Sequence, residues 1–282
     1  MKFSRRQFIK LSAASIVTAG FSGLGIGYSL RTGVEVSKVN VNLPRLPSEF
    51  NDLTIAHLSD IHHGAFISQE YIQHCVNITN ALNPDLIALT GDFTLGAKAY
   101  SEPCGEVLSG LRARIGKFAV LGNHDHYNSA GRVTRALRQA GITVLIDQKE
   151  ALEKNGEKLW LVGVDDLMFG DTDLPKLFND CGKDEARITL SHNPDFIEEF
   201  AEKNQHSDFM LSGHTHGGQV RVPILGAPHL KLLGNNYIMG MNRLDTMQIY
   251  TTRGLGTVLP PVRLFCPPEI VIYTLRRGEI TI

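Results

Sequence analysis

The stretch LTIAHLSDIHHG, residues 53–64, places six mainly apolar residues directly before a Ser-Asp pair and two histidines. A short apolar run that ends in a polar, turn-forming segment predicts a buried β-strand. The pattern recurs along the chain, and several of the runs again end in Asp, Asn or His. We therefore predict further buried strands at residues 86–90, 118–122, 142–146, 159–164, 187–191 and 208–212.

Helical patterns lie between many of these predicted strands. Ser68 is a suitable N-cap for a helix with one apolar face, and Gly141 stands where a C-terminal cap belongs. The Asn155-Gly156 pair predicts a hairpin turn between the runs at 142–146 and 159–164. The last third of the chain is rich in strand patterns and is expected to be mainly antiparallel. The alternation predicts an α/β fold whose central strands are covered on both sides.

Composition indicates a core-forming protein, since 43% of the 282 residues are hydrophobic. The formal net charge is -1, but residues 1–30 contain four basic residues and no acidic one. The rest of the chain therefore carries 24 basic and 29 acidic residues. Such a mildly acidic body argues against nucleic acid as a partner. Without repeats or low-complexity tracts, the simplest division is a leader at 1–30, a linker at 31–47 and one catalytic domain at 48–282.

The N-terminal leader begins with SRRQFIK at residues 4–10, followed by an uncharged, apolar stretch at 11–30. A basic head before an apolar region is typical of an export signal, and the paired arginines resemble twin-arginine signals. That resemblance implies export of the folded protein by the twin-arginine translocation machinery. The expected location is the periplasm, the cell wall or the outer face of the cytoplasmic membrane. A stretch of this length would also suffice as a membrane anchor, so cleavage and membrane association both stay open.

The four cysteines are far apart in the sequence and form no C-x-x-C pair. This excludes a zinc ribbon or a dithiol redox motif as the source of chemistry. We interpret them as small buried residues in preference to disulfides.

The polar residues that follow the predicted strands form a chemically coherent set. Each one alone is more typical of a strand-end turn than of a ligand, but the carboxyl ends of strands in α/β sheets meet in one crevice. Their joint occurrence favours a metal site built from oxygen and nitrogen donors, which suits Mn, Fe, Zn or Co. Seven ligands fit two divalent ions that share one carboxylate. They are Asp60, His62, Asp92, Asn123, His192, His214 and His216.

Five motifs carry a resemblance to a known family. DIH at 60–62, GD at 91–92, GNHD at 122–125, the His of SHNPD at 191–195 and GHTH at 213–216 resemble, in order, the blocks of the calcineurin-like metallophosphoesterases. The likeness extends over about residues 53–220. It implies a four-layer α-β-β-α sandwich of two mixed β-sheets flanked by helices. It also implies an enzyme that hydrolyses phosphoric esters with two metal ions.

The resemblance further implies a role for each residue. Asp60, His62 and His216 would hold one metal, and Asp92 would bridge the two. The second metal would be held by Asn123, His192 and His214. His124 would protonate the leaving oxygen while a hydroxide between the metals attacks phosphorus in line.

Departures from the family narrow the expected substrate. GDFTLG at 91–96 lacks the second Asp and the Arg of the GDxVDRG block of protein phosphatases, which argues against protein dephosphorylation. The carboxylate that orients the catalytic His in that block is also missing, and Asp125 is the one candidate to replace it. GHTHGGQV at 213–220 and TTRGLGT at 251–257 resemble a branch of exported or membrane-attached envelope phosphoesterases. Some members of that branch cleave UDP-2,3-diacylglucosamine in lipid A biosynthesis.

Two further residues are candidates for binding substrate. The guanidinium of Arg253 matches phosphate oxygens, although an ordinary strand arginine is an equal alternative. His63 borders a ligand motif, where it would touch substrate or hydrogen-bond to the residues around the site. The sequence thus predicts an envelope phosphoesterase acting on a phosphodiester, a pyrophosphate or a small phosphomonoester. The alternatives are a UDP-2,3-diacylglucosamine pyrophosphatase, with a lipid-linked substrate, and a metal-binding scaffold without catalysis.

Overall fold

Two six-stranded β-sheets form the centre of the protein. The computed structural model describes residues 33–227, 230 and 236–280. The first sheet has the strand order β1-β12-β2-β3-β4-β5, and the second has the order β10-β11-β9-β8-β7-β6. The strands are β1 Glu35–Leu43, β2 Thr54–Leu58, β3 Leu86–Thr90, β4 Gly116–Val120, β5 Thr143–Val144, β6 Gln148–Lys154, β7 Glu157–Gly163, β8 Ala186–Leu190, β9 Phe209–Ser212, β10 Gly240–Leu244, β11 Met247–Thr251 and β12 Glu269–Arg277.

Within the described residues, five α-helices cover the outer faces of the two sheets. Three apolar clusters separate the layers, and each one joins a different pair. The first lies between the sheets and includes Ile55, Phe209 and Tyr273. The second packs the first sheet against helices α1 to α3, and the third packs the second sheet against α4 and α5. The predicted four-layer α/β sandwich is therefore confirmed. The helices are α1 Gln69–Ala81, α2 Ser101–Leu108, α3 Asn123–Gln139, α4 Leu174–Leu177 and α5 Phe196–Glu202.

The central strands run parallel, which places their carboxyl ends at the same edge of each sheet. In the first sheet β2, β3, β4 and β5 are parallel neighbours, and in the second β7, β8, β9 and β11 are parallel neighbours. All seven apolar runs predicted as strands are strands. The helix predicted after Ser68 is also present, and the Ser68 hydroxyl accepts a hydrogen bond from the Tyr71 backbone amide at 3.3 Å.

The predicted linker at 31–47 is wrong over most of its length. Residues 35–43 form strand β1, which pairs in parallel with β12 at the edge of the first sheet. Val41 and Leu43 are buried in the core between the sheets. Valine alternates with polar residues in EVSKVNVNL, which is the period-2 pattern of a half-buried strand. The folded domain therefore begins before residue 48.

The Asn155-Gly156 turn is present, but it joins a different pair of strands from the predicted one. It connects β6 to β7 as an antiparallel hairpin within the second sheet. The run at 142–146 contributes only the two-residue strand β5, which lies at the edge of the first sheet. The chain therefore changes sheets between β5 and β6. The C-terminal region is only partly antiparallel, since β11 pairs in parallel with β9.

The N-terminal leader at 1–30 lies outside the described residues. Within the described part of the chain, no helix combines the length and the apolar character that are needed to span a membrane. All four cysteines are free; three are buried and Cys181 is half-buried, which agrees with our preference for small buried residues.

His57 on β2 is a buried histidine in the centre of the sandwich. Its two ring nitrogens lie 3.0 Å from the Tyr273 hydroxyl and 2.7 Å from the Thr90 hydroxyl. Burial lowers the pKa of His57 to about 3, because the charged imidazolium would lose its hydration there. His57 is therefore neutral at ordinary pH.

Lowering the pH from 6.5 to 4 should reduce the free energy of unfolding through His57 by on the order of 3 kcal/mol. Over that range the unfolded His57 binds a proton and the folded His57 does not, so stability rises with pH. Denaturant unfolding at several pH values should show a shallower pH dependence for His57→Gln than for wild type. His74→Gln, on the exposed face of α1, is the matched control. Equal slopes for wild type and His57→Gln would contradict this account.

Candidate metal centre

The loops that follow five parallel strands converge at one end of the sandwich. Strands β2, β3 and β4 of the first sheet supply four of the predicted ligands, and β8 and β9 of the second sheet supply the other three. Parallel neighbours end at the same sheet edge, and the two sheets face each other across one core. The seven side chains therefore approach one another although they are spread over residues 60–216.

Four donor atoms form a first cluster. The Nε2 atoms of His62 and His216 are 3.0 Å apart, and Asp60 Oδ1 lies 3.4 Å from His216 Nε2. Asp92 Oδ2 lies 3.5 Å from His62 Nε2. Donors that share one ion at about 2.0–2.2 Å lie roughly 3 to 3.6 Å apart, so this cluster has the dimensions of a single-metal site.

A second cluster shares one member with the first. Asn123 Oδ1 lies 3.1 Å from His192 Nε2 and 3.1 Å from His214 Nδ1, and those two nitrogens are 3.2 Å apart. Asp92 Oδ2 lies 3.3 Å from His192 Nε2. The same carboxylate oxygen thus borders both clusters, and the donors of each cluster fit a divalent cation.

The ligand loops adopt backbone conformations that are unusual for residues with side chains. Asp60, His62, Asp92, His214 and His216 all have positive φ, between 51° and 71°. A non-glycine residue in the left-handed region is uncommon and costs on the order of 1–3 kcal/mol. These conformations turn each side chain into the crevice directly after its strand. The backbone of the folded sandwich therefore sets the direction of these donor side chains.

Two glycines allow the loops to approach each other closely. A Cβ atom at Gly213 would overlap Ser59 Oγ and Asp60 Oδ2, and one at Gly122 would overlap Asp92 Oδ1. Any side chain at either position would displace a carboxylate of the cluster. The glycine at 217, which follows GHTH, packs instead against Arg253 and Cys266, outside the cluster.

The electrostatics of the cluster keep three imidazoles neutral. Burial lowers the pKa of His62 to about 3, that of His214 to about 4 and that of His216 well below its usual value. Burial raises the pKa of Asp60 to about 6. Neutral imidazole is the form that coordinates metal, so these histidines need lose no proton to bind a cation.

His192 behaves differently because it contacts Asp92. Burial disfavours its charged form, but the adjacent carboxylate outweighs burial and raises the pKa of His192 to about 10. His192 Nδ1 lies 2.7 Å from the carbonyl of Thr90, so this nitrogen carries a hydrogen and Nε2 faces the cluster. A cation that binds there must displace the proton on Nε2.

Asp125 organises the loops around the cluster. Its buried carboxylate accepts hydrogen bonds from the backbone amides of Asp92 at 2.8 Å, Phe93 at 2.9 Å and Gly122 at 3.0 Å. Burial and the charge of Asp92 raise its pKa to about 7. Asp125 thus ties the loops after β3 and β4 together, a different role from orienting the His124 ring.

His124 lies at the edge of the cluster and is only half-buried. Its backbone amide donates to Asp92 Oδ1 at 2.8 Å, and its ring meets the His62 ring edge-on at 5.0 Å. The imidazole therefore stands between the donor atoms and solvent, where a bound phosphoester would lie.

The two residues predicted to bind substrate have other partners. Arg253 Nη2 lies 3.0 Å from Glu35 Oε2 and 3.2 Å from Glu269 Oε1, so two carboxylates already neutralise the guanidinium. His63 Nδ1 lies 3.0 Å from the Tyr100 carbonyl, and the His63 ring packs edge-on against the Tyr100 ring. The structure brings neither head group into the donor cluster. These contacts favour the alternatives to substrate binding: an ordinary strand arginine for Arg253, and a hydrogen-bonding role around the site for His63.

Arg263 is a residue of this region that the sequence did not single out. It is fully buried, and its guanidinium donates to the carbonyls of Arg253 at 2.7 Å, Gly256 at 3.0 Å and Cys266 at 3.2 Å. Its Nη2 also lies 3.2 Å from Nδ1 of His216. Arg263 thus holds the 253–266 loop against a cluster histidine. PVRLFCPPE has no pattern that marks one arginine as buried.

A two-sheet α/β sandwich with oxygen and nitrogen donors at its strand ends defines a metal-dependent hydrolase. Residues 53–218 match the family model for calcineurin-like phosphoesterases, and the chain belongs to this family. It is therefore a metal-dependent phosphoesterase.

Similar proteins occur in distant bacteria. The chain is 33% identical to phosphodiesterase YaeI of Escherichia coli (strain K12), over 96% of this chain and 99% of that protein. It is 32% identical to the uncharacterized metallophosphoesterase YkuE of Bacillus subtilis (strain 168), over 98% of both chains. Among solved structures, it is similar to an archaeal phosphodiesterase with a TM-score of 0.41 and 16% identity, over 74% of this chain and 88% of that one.

Proposed function

We propose that this protein is a phosphodiesterase of the cell envelope that works with two divalent metal ions. The main support for this proposal is the position of Asp92 Oδ2, which lies within 3.5 Å of a nitrogen donor in each of the two clusters. A carboxylate oxygen in that position suits a bridge between two ions. The name of the Escherichia coli relative favours a phosphodiester over a pyrophosphate or a small phosphomonoester. The donor set suits Mn, Zn, Fe or Co.

Each residue has a proposed role. Asp60, His62 and His216 would hold the first ion, Asn123, His192 and His214 would hold the second, and Asp92 would contact both. Bound ions would lower the pKa of a coordinated water and neutralise charge on the phosphoryl oxygens. His124 donates a proton to the leaving oxygen, because it borders the cluster without belonging to either ligand set and remains open to solvent.

The proposed location rests on the N-terminal sequence. SRRQFIK at 4–10 and the uncharged stretch after it resemble a twin-arginine signal, and partners would include the translocation machinery. Cell fractionation should find the wild-type chain in the envelope and the double variant Arg5→Lys, Arg6→Lys retained in the cytoplasm. An unchanged distribution of the double variant would argue against this route.

Metal-dependent turnover is the direct test of the activity. The purified full chain should hydrolyse bis-p-nitrophenyl phosphate with Mn, lose that activity in a chelator, and regain it when Mn is restored. Elemental analysis should find two ions per chain. If the chain binds metal but hydrolyses no phosphoester, the protein is instead the alternative named above, a metal-binding scaffold without catalysis.

A second candidate function is cleavage of a lipid-linked pyrophosphate such as UDP-2,3-diacylglucosamine. The supporting observation is the hairpin at 222–226, whose Ile224 is fully exposed and whose Leu225 is 67% exposed. Arg221 at its base donates to the Gly217 carbonyl, one residue from His216, so the base of this hairpin lies beside the proposed site. Faster turnover of the micellar UDP-linked diacyl sugar than of bis-p-nitrophenyl phosphate would favour this candidate, and no turnover of it would remove it.

A further inference from the structure

Three large apolar side chains are exposed beside His124. Tyr127 is 62% exposed, Met168 is 59% exposed and Phe169 is 44% exposed. Single exposed apolar residues are ordinary, but grouped ones at the mouth of a site commonly mark a binding surface. None of the three takes part in the proposed metal ligation or proton transfer.

The rings form a continuous series that begins at His124. The Tyr127 ring lies 6.0 Å from the His124 ring at an interplanar angle of 66°. Phe169 meets Tyr127 edge-on, with 4.8 Å between ring centroids. On its other side Phe169 stacks on His126 at 5.2 Å with the rings nearly parallel. We call Tyr127 and Phe169 the aromatic shelf.

The shelf is held in place from both ends. His126 Nε2 lies 2.9 Å from Asp165 Oδ1, which fixes the imidazole under Phe169. Asn128, next to Tyr127, donates from its side chain to the Thr94 carbonyl at 3.1 Å. The shelf therefore loses little conformational freedom when a ligand binds.

The shelf lies at the same end of the sandwich as the donor clusters. Tyr127 is one turn after His124 on α3, so the two side chains project from the same side of the helix. Phe169 belongs to the loop after β7, the parallel neighbour of β8. A group attached to the leaving oxygen, which His124 faces, would extend away from the polar clusters and onto these rings.

We propose that the aromatic shelf is a subsite for a planar aromatic group on the leaving-group side of the substrate, such as an aryl ester or a nucleobase. This inference rests on the proposed function for the direction in which the leaving group points. Two rings in an edge-to-face pair favour a third ring over a flexible chain, because aromatic contacts add to simple burial of area.

Calorimetric titration of the metal-loaded full chain tests the shelf without relying on turnover. Phenyl phosphate should bind about 3- to 10-fold more tightly than methyl phosphate and than cyclohexyl phosphate. Tyr127→Ala and Phe169→Ala should each bring the phenyl-to-methyl ratio close to one, and Phe169→Leu serves if the alanine variant fails to fold. Tyr127→Phe keeps the ring and should keep the preference. Ile115→Ala is the matched control, because it removes an apolar side chain that is 47% exposed directly before β4, at the end of that strand away from the clusters.

The outcomes separate the shelf from the proposed function. Equal binding of phenyl and methyl phosphate by wild type, or a preference that survives both ring deletions, would overturn the shelf. Equal binding of phenyl and cyclohexyl phosphate would overturn its aromatic character. Turnover of bis-p-nitrophenyl phosphate by the wild-type chain reports on the proposed function, whether or not the shelf contributes to binding. If the rings cause tighter binding of phenyl phosphate but no phosphoester is hydrolysed, the shelf is supported and the proposed function is wrong. If phosphoesters are hydrolysed but phenyl phosphate binds no more tightly than methyl phosphate, the function is supported and the shelf is wrong.

Discussion

Replacing Asp92 by alanine is expected to remove bound metal from both clusters and to lower turnover by about 1,000-fold or more. Asp92 Oδ2 is the atom that borders a histidine nitrogen of each cluster. Without it, each ion keeps only three protein ligands, and the carboxylate that would balance the charge of two adjacent cations is gone. The alanine variant also leaves the His124 backbone amide without its acceptor, Asp92 Oδ1.

The measurement is metal content per chain by elemental analysis, together with turnover of bis-p-nitrophenyl phosphate. Asp208→Asn is the matched control, because Asp208 is another buried carboxylate but pairs with Arg45 at 2.8 Å. That variant should lose stability and keep its metals. Two ions per chain and wild-type turnover in Asp92→Ala would refute the proposed bridge.

Replacing His124 by alanine is expected to lower turnover by about 100- to 10,000-fold while both ions stay bound. The His124 ring contacts the His62 ring edge-on, and the His124 backbone amide donates to Asp92 Oδ1. The alanine variant keeps the backbone hydrogen bond and removes the ring. The expected defect depends on the leaving group. A phenolate leaving group needs a proton more than a p-nitrophenolate does.

Diphenyl phosphate and bis-p-nitrophenyl phosphate provide this comparison, because both place an aryl group on the leaving oxygen. The defect of His124→Ala should be larger with diphenyl phosphate. His206→Ala serves as a control, since His206 pairs with Asp208 ahead of β9 and should not change the dependence on the leaving group. An equal defect with both substrates would mean that His124 does not act as the acid, and loss of metal from the variant would mean that it acts as a ligand.

Much of the fold was predictable because its signals are local. The apolar runs and their turns identify the parallel strands, and Ser68 identifies the start of α1, since strand burial and capping depend on a few neighbouring residues. The clustering of the seven candidate ligands was predictable for the same reason. Each one stands directly after a strand, so the sheet itself gathers them.

The edges of the sheets were harder to predict. β1 differs from the predicted linker because its partner, β12, lies more than 200 residues away in the sequence. The pairing supplies the burial that the alternation of apolar residues with asparagine over 39–43 leaves open. The strand that pairs across the Asn155-Gly156 turn is residues 148–154 rather than the predicted 142–146, because a turn motif specifies a hairpin but not which of two nearby segments pairs across it.

The sequence by itself determined the layered α/β class, the donor types and the order in which the ligands come. Only the tertiary structure decided that one oxygen of Asp92 borders both clusters, that five of the seven ligand residues turn into the crevice through left-handed backbone, and that Arg263 rather than Arg253 contacts a ligand histidine. It also decided that Tyr127 and Phe169 meet beside His124. The physical reason for this division is that the periodicity and spacing of residues reflect preferences between neighbours in the sequence. Distances between side chains from separate strands arise only when two sheets pack face to face.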